Sequence, residues 1–154
     1  MSKDGVARFV ERFALVLDEA GMPRMPARAF VAILISDPGR LTAGELASTL
    51  QVSPAAISGA VRYLLDAGFV HREREPGARV DSYAVAEDVW SDIYFQRVLA
   101  APSWEQVVRD GVPLFPKRSP GRARLEETAD FFAFVREEMP KLMEKWARTR
   151  SRGR

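Results

Sequence analysis

The fold is decided by residues 42–85, which have the sequence TAGELASTLQVSPAAISGAVRYLLDAGFVHREREPGARVDSYAV. Ser53 and Pro54 predict the start of a helix, because serine caps free backbone N–H groups and proline fits the first helical position. Gly68 predicts its end, since helices commonly close on a left-handed residue. One face of this helix is an apolar stripe that we expect to be buried, formed by Ile57, Val61, Leu64 and Leu65. The other face is small or polar, so it can approach another surface closely.

A shorter helix precedes this one. Thr42 and Glu45 have the spacing of a capping box, in which each side chain satisfies a backbone N–H of the other residue. The helix that they open breaks at Gln51 and Val52. Two helices joined by about three residues form a helix-turn-helix, whose second helix enters the major groove of DNA.

Residues 69–85 extend the motif by two strands. We expect the strands over 69–74 and 79–85, with a turn at Pro76-Gly77 between them. Because arginines lie near its tip, this hairpin predicts a wing beside the helix-turn-helix.

These residues resemble the winged helix-turn-helix of the multiple antibiotic resistance regulator (MarR) family. The helix start Ser53–Gly59 and the wing sequence Arg-Glu-Pro-Gly-x-Arg over 74–79 are most similar to its GbsR-like branch. The resemblance covers roughly residues 26–86. It implies a homodimeric, sequence-specific, DNA-binding transcriptional regulator that recognises a pseudo-palindromic operator. It further implies a repressor that is released by a small apolar or aromatic ligand, bound between the dimer helices and the DNA-reading domain.

The fold class predicted is mainly α with a small β-hairpin wing, flanked by N- and C-terminal dimerisation helices. We expect an N-terminal dimerisation helix and connector over 1–25, the DNA-binding domain over 26–86, a C-terminal helical dimerisation region over 87–149 and a disordered basic tail over 150–154. Within the third part we expect a helix over 86–100, a short helix opened by Ser103 and a basic loop over 117–124. A last helix contains Pro140, which should kink it or shift its hydrogen bonding.

The last helix carries an apolar seam with steps of three and four residues, as in coiled coils. A seam of this length predicts a subunit interface, joined by the first helix, and the interface residues that we expect are Phe9, Phe13, Leu125, Phe132, Val135, Met139, Leu142 and Trp146.

The recognition helix, its neighbouring caps and the wing supply the candidate DNA-binding residues, which are Thr42, Ser53, Ala55, Ala56, Ser58, Gly59, Arg62, Arg72, Arg74 and Arg79. Ser58 and Arg62 can contact bases or phosphates, while the small residues permit close approach. Two alternatives stay open: Gly59 can pack against a neighbouring part of the protein, and the wing arginines can pair with the interleaved Glu73, Glu75 and Asp81. His71 is more often a solvated strand residue than a switch or a ligand.

Several aromatic residues lie near the predicted subunit interface. An apolar effector pocket can be formed by such residues, and the residues that we expect to line it are Trp90, Tyr94, Phe131 and Phe134. Packing in the core is the alternative for any one of them.

The composition bounds the function. The chain has 154 residues with one histidine and no cysteine, and it contains no phosphate-binding or nucleophile motif, so we expect no enzyme, no metal and no cofactor. It has no membrane-spanning run and no signal peptide, which predicts a cytoplasmic protein. Residues 40–86 hold five cations and five anions, so DNA attraction has to come from local placement. The functional alternative is a winged-helix protein-interaction module that does not read DNA. The operator, the effector, the regulated genes and the sign of regulation are not encoded in any pattern above.

Overall fold

The computed structural model describes residues 3–91, 93 and 101–153, without the side chains of residues 3 and 101–103. The chain divides into two compact units, Met1–Val89 and Trp90–Arg154. Residues 89–91 and 93 are helical. In the span 86–100 where we predicted a helix, residues 86–88 precede the helical residues. Residue 92 and residues 94–100, which include Tyr94, lie outside the described residues.

The first unit is mainly helical with a small antiparallel sheet, which confirms the predicted fold class. Its elements are α1 (Lys3–Glu19), α2 (Arg24–Leu34), β1 (Arg40–Thr42), α3 (Ala43–Leu50), α4 (Pro54–Asp66), β2 (Val70–Glu73) and β3 (Ser82–Val85). The connector expected to reach residue 25 is shorter than predicted, because α2 begins at Arg24 and takes in Pro26 in its first turn. Proline is tolerated there because the first helical turn has no intrahelical partner for its missing N–H.

Helix α2 lies at the centre of this unit. It contacts α1, α3, α4 and the sheet, and Phe30 and Ile33 on it have no exposed surface. The ring of Phe30 packs edge-on against Phe69, with 5.2 Å between the ring centroids. Helix α1 contributes Val10 and Ala14 to the same core. The helix-turn-helix is therefore held on one buried helix.

The helix ends follow the sequence signals. Gln51 adopts the left-handed conformation, with φ 53°, and makes the turn between α3 and α4 at the predicted break. Gly68 closes α4 with φ 77°, and the backbone N–H of Phe69 donates to the carbonyl of Leu64 at 2.9 Å. This hydrogen bond satisfies one of the carbonyls that the helix end leaves without partners.

The sheet has a strand that the sequence analysis missed. Strand β1 pairs antiparallel with β3, which also pairs antiparallel with β2, so the order is β1-β3-β2. The hairpin strands are shorter than predicted. Between them, the N–H of Ala78 donates to the carbonyl of Glu75 at 3.0 Å, and Gly77 has φ 83°, as the third residue of a type II turn requires.

The second unit contains α5 (Ala101–Gly111), a short 3₁₀ helix (Val112–Leu114) and α6 (Pro120–Arg152). Helix α5 packs along α6. The rings of Trp104 and Phe132 lie edge-on with centroids 5.7 Å apart, and Glu105 accepts a hydrogen bond from Arg136 at 2.9 Å. In this packing Ala129 is fully buried.

Three expectations for this unit are wrong. Helix α5 begins at Ala101 rather than Ser103, with Pro102 in its first turn. The basic loop ends at Ser119, whose side chain caps α6 by accepting the N–H of Arg122 at 3.2 Å. The tail is helical to Arg152; the Glu144–Arg148 pair supports the last turns, and cations suit a helix C-terminus. Helix α6 continues through Pro140, and the kink or shift in hydrogen bonding expected there stays a prediction.

Candidate nucleic-acid interface

The outer face of α4 has the predicted character. Ala55, Ser58, Gly59 and Arg62 are exposed, Ala56 is half-buried, and the buried stripe consists of Ile57, Ala60, Val61 and Leu64. Leu65, expected in that stripe, is only half-buried. The exposed face therefore presents one hydroxyl and one guanidinium on an otherwise small surface.

Gly59 has open space around it. A Cβ atom added there would meet no heavy atom within 4 Å among the described residues, the neighbouring backbone of its own helix aside. Glycine inside a helix costs about 1 kcal/mol relative to alanine. The alternative that Gly59 packs against another part of its own unit therefore has no support in these contacts.

The hydroxyls of Thr42 and Ser53 are engaged as helix caps. The N–H of Glu45 donates to Thr42 Oγ1 at 3.2 Å, and the N–H of Thr42 donates to Glu45 Oε2 at 2.7 Å, which completes the predicted capping box. The N–H of Ala56 donates to Ser53 Oγ at 3.2 Å. Each hydroxyl keeps its proton, so it can cap the helix and still donate to a phosphate oxygen.

The capping box also shifts the titration of its acid. Hydrogen bonds from the backbone and side chain of Thr42 lower the pKa of Glu45 below its ordinary value of 4.5. The carboxylate is therefore ionised at neutral pH and stabilises the positive N-terminal end of α3.

A cleft of about 240 Å³ separates α4 from the sheet. Arg62 lines it from α4, Arg72 from β2 and Tyr83 from β3, together with apolar side chains of α4. The residues that line it are Ala43, Pro54, Ile57, Ser58, Val61, Arg62, Leu65, Arg72 and Tyr83. Two guanidiniums at one cleft suit contacts with the phosphates of a sugar-phosphate backbone.

The cations of the wing are largely paired. Arg74 Nε donates to Asp81 Oδ1 at 2.7 Å, and Arg72 Nε lies 3.6 Å from Asp81 Oδ2. Arg40 on β1 pairs with both Glu73 and Glu75. The alternative of cross-strand pairing is thus observed for Arg72 and Arg74.

Arg79 differs from these residues. It is exposed beyond the Pro76-Gly77 turn and has no ion-pair partner among the residues that the structure describes. Arg62 on α4 is in the same position. These two arginines are the cations of this face whose charge is not offset locally, so they suit phosphate or base contacts best.

His71 lies on the exposed side of β2, and its Nε2 is 2.8 Å from Glu73 Oε1. Hydrogen bonds from His71 and Arg40 lower the pKa of Glu73. This geometry agrees with a solvated strand residue, and the described residues contain no cluster of acids and histidine that could hold a metal ion.

The predicted effector residues are exposed where the structure describes them. Phe131 and Phe134 project from α6 with 61% and 63% of their surface exposed, and Trp90 is also exposed. Tyr94 lies outside the described residues. The effector pocket stays a prediction.

A capped recognition helix, a preceding helix joined by a left-handed turn and a short three-stranded sheet define a winged helix-turn-helix protein. Two family models match the chain. The first, described as "MarR family", matches residues 20–79, and the second, described as "MmpR5-like MarR family transcriptional regulator", matches residues 88–150.

Among curated proteins, the chain is similar to the HTH-type transcriptional regulator MmpR5 of Mycobacterium tuberculosis (strain ATCC 25618 / H37Rv), with 25% identity over 131 residues, which span 84% of this chain and 79% of that protein. It is also similar to the putative HTH-type transcriptional regulator YvaV of Bacillus subtilis (strain 168), with 30% identity over 100 residues, which span 65% of this chain and 54% of YvaV.

Among solved structures, the crystal structure of a transcriptional regulator matches with a TM-score of 0.77 and 23% identity, covering 94% of this chain and 99% of the other. This match supports the fold. The chain belongs to the MarR family, and it is a DNA-binding transcriptional regulator of the winged-helix type. Its assignment to the GbsR-like branch stays a prediction.

Sequence reasoning missed two members of this interface, Arg40 and Tyr83, which both depend on the sheet. The pairing of Arg74 with Asp81 had a signal, because a hairpin that turns at Pro76-Gly77 brings the residues just outside both strand ends together. Arg40 had none, since β1 has only three residues.

Proposed function

We propose that this regulator works as a homodimer that binds a pseudo-palindromic operator and represses transcription until a small apolar or aromatic ligand releases it. The observation that carries the dimer is the surface of α6. Phe131, Phe134, Leu142 and Trp146 are each at least half exposed, although large apolar side chains in such number are normally covered.

The predicted seam of α6 divides into two parts. Leu125, Phe132, Val135 and Met139 are half-buried, and α5 of the same chain covers Phe132 through Trp104. The seam residues Leu142 and Trp146 keep 55% and 50% of their surface exposed. A second copy of the chain is the occupant that we propose for them, and Phe9 and Phe13 of α1 provide a further apolar surface, of which Phe9 is exposed.

The geometry of the first unit supports the mode of DNA recognition that we propose. The N-terminal end of α4 would enter the major groove, with Ser58 and Arg62 contacting base edges or phosphates. Arg79 would reach the adjacent backbone or minor groove from the wing. Two such units in a dimer bind half-sites about one helical turn, roughly 34 Å, apart.

Release by a ligand requires a difference in affinity. A ligand shifts the regulator away from DNA only if it binds the DNA-free arrangement of the dimer more tightly than the DNA-bound one. Exposed aromatic rings such as Phe131 and Phe134 would supply apolar contacts for it.

The dimer is tested by a pair of substitutions on opposite sides of α6. Trp146→Ser removes an exposed ring from the seam, and Glu137→Ser changes an exposed residue nine positions earlier, about half a turn away around the helix. Analytical ultracentrifugation should show a dimer for the wild type and Glu137→Ser, and a weakened dimer for Trp146→Ser. A monomeric wild type at micromolar concentration refutes the dimer.

DNA recognition is tested by selecting bound sequences from a pool of random duplexes. Enrichment of two inverted half-sites with centres about 10 base pairs apart supports the proposal. The alternative, a protein-interaction module, predicts no enriched sequence and no loss of binding as the salt concentration rises.

A further inference from the structure

Asp81 has an unusual position in the wing. Only 20% of its side-chain surface is exposed, whereas Arg72 and Arg74, which lie against its two carboxylate oxygens, are 58% and 62% exposed. The hydrogen bond from Arg74 lowers the pKa of Asp81, so the carboxylate is ionised at neutral pH. One anion thus lies beneath two cations on a surface that faces solvent.

We infer that Asp81 is a built-in counter-ion of the wing, which offsets the charge of Arg72 and Arg74 and thereby lowers the affinity of the regulator for DNA. The inference rests on DNA binding through this winged helix. Asp81 is an anion, whereas the residues that attract a nucleic acid are cations.

The chemistry of the contact supports competition. A carboxylate and a phosphodiester are both anions that accept hydrogen bonds from guanidinium groups in similar geometry. Asp81 is fixed within hydrogen-bonding distance of Arg74, whereas a DNA phosphate has to arrive from solution. In the wild type, Arg72, Arg74 and Asp81 together therefore present a net charge of about +1 to an approaching phosphate, whereas the two arginines alone would present about +2.

The rest of the wing has the same arrangement. Arg40 is engaged by Glu73 and Glu75, and Arg79 is the wing cation that has no such partner within the described part of the chain. This distribution explains how residues 40–86 can hold five cations and five anions and still serve DNA binding. Attraction is concentrated at Arg62 and Arg79, and elsewhere on the wing it is attenuated.

A positioning role is the competing explanation. Both contacts join Asp81 to the Nε atoms of the arginines, so Asp81 could also orient their terminal nitrogens toward DNA. The two explanations predict opposite signs. Removing a counter-ion strengthens DNA binding, whereas removing a positioning residue weakens it.

The experiment measures DNA affinity against salt concentration, by fluorescence anisotropy with a duplex selected by the protein. Asp81→Asn keeps the size of the side chain and removes its charge. The slope of log K against log salt should steepen by about 0.9, the value for one additional neutralised phosphate. If the two lines converge near about 1 M salt, binding at about 0.15 M salt should be about fivefold tighter.

Asp18→Asn is the matched control. It removes the same charge from the exposed end of α1, where Asp18 has no side-chain partner among the described residues, so it reports the effect of net charge alone. Affinity and slope for Asp81→Asn that equal those of Asp18→Asn, or weaker binding than the wild type, overturn the inference.

A double-substitution cycle separates the contact from folding effects. Arg74→Gln should cost more affinity in the Asp81→Asn background than in the wild type, because Arg74 is offset only in the latter. Asp81→Ser repeats the charge removal with a smaller side chain, and thermal unfolding checks that each variant is folded. Equal costs in both backgrounds overturn the inference. A folded wild type that binds no duplex would instead refute DNA binding itself.

Discussion

Gly59 on the outer face of α4 gives the sharpest test of the recognition helix. Replacing it by alanine adds one methyl group to an exposed helical position where a Cβ atom would meet no described heavy atom within 4 Å. Alanine is favoured over glycine inside helices by about 1 kcal/mol. Gly59→Ala should therefore stabilise the free protein by about 1 kcal/mol, which corresponds to a rise of about 2–4 °C in Tm.

The same methyl group should weaken DNA binding. If α4 lies in the major groove with Gly59 against the DNA, the added carbon has to displace the helix or lose neighbouring contacts, and single base contacts are worth about 1–3 kcal/mol. We expect a loss of roughly ten- to hundredfold in affinity for a selected operator. Stability and binding then change in opposite directions, which a general folding defect cannot produce.

Gly5 supplies the control for this test. It lies in the first turn of α1, and a Cβ atom there also meets no described heavy atom within 4 Å. Gly5→Ala should stabilise the protein slightly and leave operator affinity unchanged. Thermal unfolding and fluorescence anisotropy measure both quantities. An operator affinity for Gly59→Ala equal to that of the wild type would refute close approach of DNA at this position.

Three further substitutions test the parts that hold or extend this helix. Glu45→Gln should lower the free energy of unfolding by about 0.3–1 kcal/mol at pH 7. Because Thr42 lowers the pKa of Glu45 below 4.5, this difference should be present above pH 4.5 and vanish as the pH falls through the lower pKa of the folded state. Urea unfolding at several pH values measures it. Arg28→Met should destabilise the protein by about 1–3 kcal/mol in the same assay, because Arg28 donates to Glu11 at 2.6 Å and to the Leu50 carbonyl at 3.3 Å; an unchanged unfolding midpoint would contradict this. Arg79→Ala should flatten the salt dependence of operator binding by about 0.9, and an unchanged slope would show that Arg79 contacts no phosphate.

Much of the helix-turn-helix could be predicted from sequence because its signals are local. Ser53 with Pro54 gave the start of α4, Gly68 its end, and Thr42 with Glu45 the start of α3. Each signal acts within one helical turn, where a side chain and the backbone that it satisfies are fixed together. The left-handed turn at Gln51 could be located but not attributed to a residue type, since glutamine rarely adopts it.

The errors arose where partners are distant in sequence or where a signal was read too narrowly. Strand β1 pairs with β3 about forty residues later, and three residues carry no periodicity that could reveal it. Ser119 and Pro120 repeat the start signal of Ser53 and Pro54, yet the surrounding cations favoured a loop. Basic residues are compatible with a helix when a cap opens it and acids follow at helical spacing, as Glu126 follows Arg122.

The paired charges of the wing and the apolar surface of α6 together affect the selectivity of the regulator for DNA. A DNA-binding unit whose cations are mostly offset binds duplexes weakly alone, because non-specific affinity depends on the number of phosphates neutralised. Joining two such units converts the second binding event into an intramolecular one, with an effective concentration in the millimolar range for short linkages. Affinity then rises only where two half-sites have the correct spacing, while isolated half-sites and random DNA stay weakly bound. Attenuated wings would therefore raise selectivity for the complete operator, provided that Leu142 and Trp146 hold two copies together.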